Sequence, residues 1–203
     1  MNLSTSFIAA TASPRRHKIL AALGIDFSVV VAECDEVHYL DDPARTVLEN
    51  AALKHAAVAK QEQYRNAWVL AADTIVWFDN KCLGKPATLA EAKQMLMSYA
   101  GKKQTVYTGV AVSAPNQEPH CFVVTSTLLF KNYSESVVDE YMRLIDCLGR
   151  AGAYDIDEYD ECFLRHLALG YTKDMIASLR TMPFSPKSLE KRQADLITRL
   201  FPE

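Results

Sequence analysis

The stretch "TASPRRHK" at residues 11–18 gathers groups that hold anions. Ser13 and Pro14 read as the N-cap and first position of a helix running to about Leu23, with Gly24 as its stop. The positive end of a helix disfavours cations, so the adjacent Arg15 and Arg16 cost stability there unless an anion docks against them. Backbone N–H groups at that end, the hydroxyls of Thr11 and Ser13, and two fork-shaped guanidiniums together suit phosphate oxygens. An ordinary capped helix with solvated arginines accounts for the same residues. The stretch alone leaves the two readings balanced.

Asp73 stands inside the apolar run "VLAADTIVWF". A carboxylate in a buried strand costs several kcal/mol unless it is paired, hydrogen-bonded or bound to a metal. A structural aspartate satisfied by backbone is one answer, and a metal ligand or general base is the more economical one. Its neighbour Thr74 points to the opposite face of a regular strand. Lys54 falls on the stripe Val47, Ala51, Val58, about 20° from Val47 on an ideal wheel. There it either snorkels past its neighbours or presents an inward cation. Lys85, in "LGKP" at 83–86, is set between a permissive glycine and a rigid proline. Glu36, in "AECDEV", follows a strand end, where most acids are solvated. Each is weak alone. Together, cations surround a polyanion while Glu36 and Asp73 hold a divalent ion, as Mg²⁺ binds through one or two carboxylates plus substrate phosphates. Neither G-x-x-x-x-G-K-[ST] nor G-x-G-x-x-G occurs, so no P-loop or dinucleotide fingerprint competes.

The elements that must position these groups alternate between strand and helix, the pattern of an α/β protein with a mixed sheet. "SFIAAT" reads as a short buried strand before the first helix, and "DFSVVVA" as the next strand. The second helix covers residues 41–61, capped by Asp42 and opened by Pro43. A long strand spans 67–79 and turns at Asp79-Asn80. Thr88 and Glu91 form a capping box for a helix through Tyr99, closed by Gly101. "TVYTGVAVSA" and "HCFVVTSTLLFK" flank "PNQEP" as an antiparallel hairpin. A helix follows over 135–145, then a strand at 161–167 and a closing helix at 185–201. No repeat or linker divides the chain, and one domain over 1–203 is expected.

Composition narrows the classes further. With 203 residues, 49% apolar, 23% charged and a net charge of −3, the chain is an ordinary globular protein rather than a general nucleic-acid binder. Five scattered cysteines without a C-x-x-C pair are neither a disulfide framework nor a zinc site, and read as buried reduced thiols. No signal peptide or membrane span is expected, which makes the cytoplasm the default.

"TASPRR", Asp35-Glu36, "AALKHA", "AADTIV", "LGKP", "YTGVAV" and "RAGAYDI" follow, in order, the motifs of the Maf family, and the chain resembles it from residue 7 to about 157. Members are nucleoside triphosphate pyrophosphatases, house-cleaning enzymes also described as septum-formation inhibitors. The resemblance implies a mixed α/β fold with a deep cleft, similar to the inosine triphosphate pyrophosphatases. It implies cleavage between the α- and β-phosphates, giving a monophosphate and pyrophosphate with Mg²⁺ or Mn²⁺. On this chain Thr11, Ser13, Arg15, Arg16, Lys54 and Lys85 would grip the phosphates. Glu36 and Asp73 would coordinate metal, with Asp73 as the base. "SPRR" with "ADT" resembles the branch that prefers dTTP and UTP. The 7-methyl-GTP branch carries tryptophan and glutamine where Arg15 and Thr74 stand. The implied partner is a nucleotide, with no nucleic acid or membrane, and a homodimer is allowed.

The resemblance breaks after "AGAY". The family continues G-I-Q-G, whereas this chain reads Asp155-Ile156-Asp157-Glu158, with Asp157 in place of the active-site glutamine. A carboxylate there removes a donor and repels a polyanion unless metal bridges them. The usual G-S-Y-x-x-V-x-G-L-P becomes "LGYTKDMIASLRTMP", keeping Gly170, Tyr171 and Pro183. Three readings follow: an active enzyme with Asp157 in the metal shell or on the base, a nucleotide-binding regulatory module with weak turnover, or a nucleic-acid-binding domain. Acidic balance disfavours the last. The intact phosphate and Asp73 elements favour the first.

Overall fold

The computed structural model describes residues 6–154 and 168–171. Strand β1 (Phe7–Ala9) leads into helix α1 (Pro14–Ala22), followed by β2 (Ser28–Val29) and α2 (Pro43–Ala59). The long β3 (Trp68–Phe78) turns back into β4 (Lys81–Leu83), and α3 (Leu89–Ser98) follows. A hairpin of β5 (Lys103–Ser113) and β6 (His120–Phe130), then α4 (Glu135–Leu144) and β7 (Ala168–Tyr171), complete the described elements. The sheet runs β2-β1-β3-β5-β6-β7, with β4 also on β3. β1 is parallel to both its neighbours and the other pairs are antiparallel. This is the expected mixed α/β sheet. The strand and helix expected at 161–167 and 185–201 lie outside the described residues.

Local chemistry sets most boundaries. Asp42 accepts the Arg45 N–H at 2.9 Å and Pro43 opens α2. Thr88 accepts the Glu91 N–H at 3.1 Å, and Glu91 returns to the Ala87 N–H at 2.7 Å. Ser13 occupies the N-cap of α1 but makes no side-chain cap bond; instead Thr11 Oγ1 accepts its N–H at 3.3 Å. The strand expected over 26–32 pairs only at Ser28–Val29, because its partner β1 is three residues long before the chain turns into α1. The cysteine expectation also needs correction. Among the described residues Cys34, Cys82, Cys121 and Cys147 are free, but only Cys147 is buried, and Cys82 is exposed on the short strand β4; Cys162 lies outside the described residues.

Alternation along β3 divides the interior into two cores. Val69 and Ala71 pack with Val58 of α2 on one face, while Val76 and Phe78 join Leu96, Tyr99, Val138 and Tyr141 on the other. Asp73 belongs by period to the α2 face and Thr74 to the other. Helix α2 lies unusually close to the sheet at Gly109, which pairs with Asp73 across β3 and β5. A Cβ on Gly109 would sit 2.1 Å from the Val47 carbonyl oxygen, a backbone atom with nowhere to go. That contact lowers Asn50 and Lys54 onto Asp73.

The ladder is broken beside that point. β5 pairs with β3 from Val69 to Trp77 along one edge. On the opposite edge β1 reaches only Trp68–Leu70 and β4 only Val76–Phe78. Among the described residues no strand pairs with that edge between Ala71 and Ile75. The sheet carries a notch with Asp73 at its middle. Gly109→Ala is expected to lower the urea unfolding free energy by on the order of 3 kcal/mol through overpacking. Gly84→Ala, whose Cβ meets nothing within 4 Å, should stay within about 0.5 kcal/mol of the parent.

Candidate active site

Two clusters meet at the notch from opposite faces of β3. The first is built on Arg16. The last rung from β1 is the Ala10 N–H to the Leu70 carbonyl, at 2.7 Å. Two residues further on, where another rung would fall, Arg16 Nη1 donates to the Ala72 carbonyl at 2.9 Å. The same nitrogen donates to Thr11 Oγ1, and Nη2 donates to Thr74 Oγ1, each at 2.9 Å. Thr74 in turn shares a 3.0 Å hydrogen bond with Thr108 of β5. His17 fixes the turn by donating to the Thr11 carbonyl at 2.7 Å. Arg16 therefore leaves the helix end and substitutes for a missing strand. Burial lowers its pKa, Asp73 opposes that shift, and the guanidinium remains charged. Three of its five N–H donors are committed, leaving two for a ligand.

The second cluster is built on Asp73, which is only 9% exposed. Lys54 Nζ lies 2.7 Å from Asp73 Oδ1 and 2.8 Å from Glu36 Oε1, so one ammonium bridges both acids. Burial pulls the lysine's pKa down, but its bonds to Asp73 and Glu36 outweigh that and hold it above its ordinary 10.5. The pairing is therefore fully present at neutral pH and is lost only as pH rises through the elevated value. Lys54 does not snorkel. Its side chain is 17% exposed, against 44% for Glu36.

Asn50 is the group that sequence reasoning missed. Fully buried, it donates to Asp73 Oδ2 at 3.2 Å and to the Val37 carbonyl at 3.1 Å, and it accepts the Val37 N–H at 2.8 Å. It thus ties the segment carrying Glu36 to the helix carrying Lys54 and orients the carboxylate between them. Its signal was available: Asn50 lies three residues after Val47 and four before Lys54, a polar side chain on an apolar stripe.

Of the expected site residues, Thr11, Arg16 and Thr74 are joined by hydrogen bonds, and Glu36, Lys54 and Asp73 by ion pairs. Ser13 reaches the first group through its N–H. Arg15 is exposed on α1. Lys85 is exposed just past β4 without an ion pair to the cluster, on a segment held where the Gly84 carbonyl accepts the Gly152 N–H at 3.0 Å. Asp157 lies outside the described residues. Further along the Asp73 face of β3, a cavity of about 430 Å³ is lined by Tyr39, Thr46, Ile75 and Trp77, among others. The fold and site define an α/β domain whose charged groups converge on a gap in its central sheet.

A family model described as Maf-like protein matches residues 6–173, and the chain belongs to the Maf family. A Bacillus cytotoxicus protein named dTTP/UTP pyrophosphatase is 37% identical over 166 residues, covering 81% of this chain and 85% of the relative. A Thermotoga maritima protein of the same name is 38% identical over 162 residues, covering 79% and 78%. Among solved structures, the Staphylococcus aureus Ham1 protein aligns with a TM-score of 0.44 at 17% identity, over 63% of this chain and 73% of that one. No helix among the described residues is long and apolar enough to cross a membrane.

Arg16→Met would leave the Ala72 carbonyl without its side-chain donor and the Thr11 hydroxyl with only the Ser13 N–H. The expected loss in urea unfolding is about 1–3 kcal/mol. An unchanged midpoint would mean that the guanidinium does not bind the sheet edge in solution.

Proposed function

We propose that this chain hydrolyses nucleoside triphosphates to the monophosphate and pyrophosphate, with dTTP and UTP as preferred substrates. The observation that carries the reading is the meeting of two carboxylates, one bridging ammonium and a guanidinium with spare donors at one gap in the sheet. Membership of the Maf family and the names of the two bacterial relatives support it.

The residues present fit a hard divalent cation such as Mg²⁺ or Mn²⁺. Glu36 and Asp73 offer carboxylate oxygens close enough to share one cation, and oxygen donors suit these metals. No third acid, histidine or cysteine joins them among the described residues, so phosphate oxygens and water must complete the shell. When bound, the metal supplies charge neutralisation on the phosphates. Arg16 offers its two uncommitted N–H groups to phosphate oxygens, and Lys54, Lys85 and Arg15 add positive charge. Asp73 accepts the proton of the attacking water as its oxygen bonds to phosphorus. The bond to the bridging α–β oxygen breaks, and pyrophosphate leaves with that electron pair. Asn50 keeps the accepting carboxylate oriented meanwhile. Most of the catalysis is positioning and charge compensation. Thr74 and Arg15 stand where the 7-methyl-GTP branch carries glutamine and tryptophan, which supports the pyrimidine preference.

A second reading, nucleotide binding with weak turnover, draws on Asp155-Ile156-Asp157-Glu158, which places acids where the family carries G-I-Q-G. One assay separates the two. Pyrophosphate release from dTTP, UTP and 7-methyl-GTP is measured with Mg²⁺ or Mn²⁺ beside Asp73→Asn. The enzyme reading expects turnover of the first two and a loss of about 10²–10⁴-fold in the variant. Calorimetric nucleotide binding with no release from the parent would favour the binding module, and preferential cleavage of 7-methyl-GTP would reject the pyrimidine branch.

A further inference from the structure

Lys54 occupies the ground that a divalent cation would need. Its ammonium sits 2.7 Å from one carboxylate and 2.8 Å from the other, and Asn50 and the Gly109 contact press its helix against the sheet. Mg²⁺ bonds to oxygen at about 2.0–2.1 Å, and both oxygens of Asp73 already accept, one from Lys54 and the other from Asn50, so a metal on Asp73 competes with these donors. An ammonium and a divalent ion on one carboxylate pair repel each other strongly in a half-buried site. The two therefore compete for the pair.

We propose that Lys54 is the exchangeable counter-ion of the Glu36–Asp73 pair: it latches the acids together in the metal-free chain and is displaced when metal enters. This rests on the reading of that pair as the metal site. The latch has three consequences that follow from the geometry. Two acids that would otherwise repel each other are kept paired in the absence of substrate. Weak metal binding by the free protein follows, because each metal ion must evict a well-bonded lysine. The evicted ammonium, on a flexible four-carbon stem, then lies beside the anionic ligand and is available to its phosphate oxygens. Metal and nucleotide thereby favour each other, since the phosphates give the released lysine a new partner.

The test is Mn²⁺ binding to the full chain without nucleotide, followed by the electron paramagnetic resonance signal of free Mn²⁺. Lys54→Met is expected to tighten Mn²⁺ binding about tenfold or more while pyrophosphatase turnover falls. Lys54→Arg, which keeps a cation between the acids, should bind Mn²⁺ no more tightly than the parent. Because Lys54→Met also strips a buried pair of its cation, its unfolding midpoint is followed in the same titration. The expected result there is a larger Mn²⁺-induced rise than in the parent. Unchanged or weaker Mn²⁺ affinity in Lys54→Met, with binding still abolished by Asp73→Asn, would overturn the latch and leave the metal site standing. Mn²⁺ binding that is absent from the parent and from Lys54→Met, or indifferent to Asp73→Asn, would overturn both.

Discussion

A carboxylate in the middle of a sheet must be paired, hydrogen-bonded or bound to a metal, and the way Asp73 receives a cation organises the site around it. Removing one partner of a buried ion pair costs several kcal/mol, because the remaining charge is stranded in a poor solvent. Lys54 can serve only if α2 comes down onto β3. Gly109 makes that possible by letting the Val47 carbonyl rest where a side chain would stand. Asn50 then uses the same closeness to bind Asp73 and the Val37 backbone together, bringing Glu36 to the free side of the ammonium. Three residues of one helix stripe thus determine where two acids from distant parts of the chain can meet.

The notch supplies the second half of the design. A continuous strand along β3 would have covered the backbone around Asp73 and walled off one side of it. Instead β1 stops at Ala9 and β4 begins its pairing at Val76, leaving the edge to a side chain. Arg16 satisfies the Ala72 carbonyl, as buried backbone groups require, yet leaves two N–H donors uncommitted. This resolves the oddity of a cation at a helix N-terminus. The guanidinium escapes the unfavourable end of the dipole by reaching into the sheet, where Asp73 also favours its charge.

Much of this was legible in the residues, and the failures have physical causes. The caps at Asp42 and Thr88, the long β3 and the β5–β6 hairpin follow from local signals that tertiary packing reinforces. Asp73 stood out because a carboxylate violates the pattern of a buried strand. Lys54 was visible as a breach of its helix stripe, but its partners were not, since Asp73 and Glu36 lie 19 and 18 positions away and only the fold brings them together. Asn50 is hard to single out because asparagine is common on helix surfaces, although its position on the stripe marks it. Arg16 reads from its neighbours as anion-binding or solvated, and its bond to the sheet edge depends on where β1 ends, which no local pattern states. The second strand came out shorter than its apolar run because a strand pairs only as far as its neighbour extends.

On the proposed function, the Arg16 and Asp73 clusters, on opposite faces of one strand, address a single polyanion. A crystal structure with Mg²⁺ and the non-cleavable α,β-methylene analogue of dTTP tests it most directly. The expected result is a triphosphate chain lying in the notch, with phosphate oxygens on the Arg16 guanidinium and the metal on Glu36 and Asp73. A nucleotide bound elsewhere, with Lys54 still bridging the two acids and Arg16 making only its bonds to Thr11, Ala72 and Thr74, would contradict it.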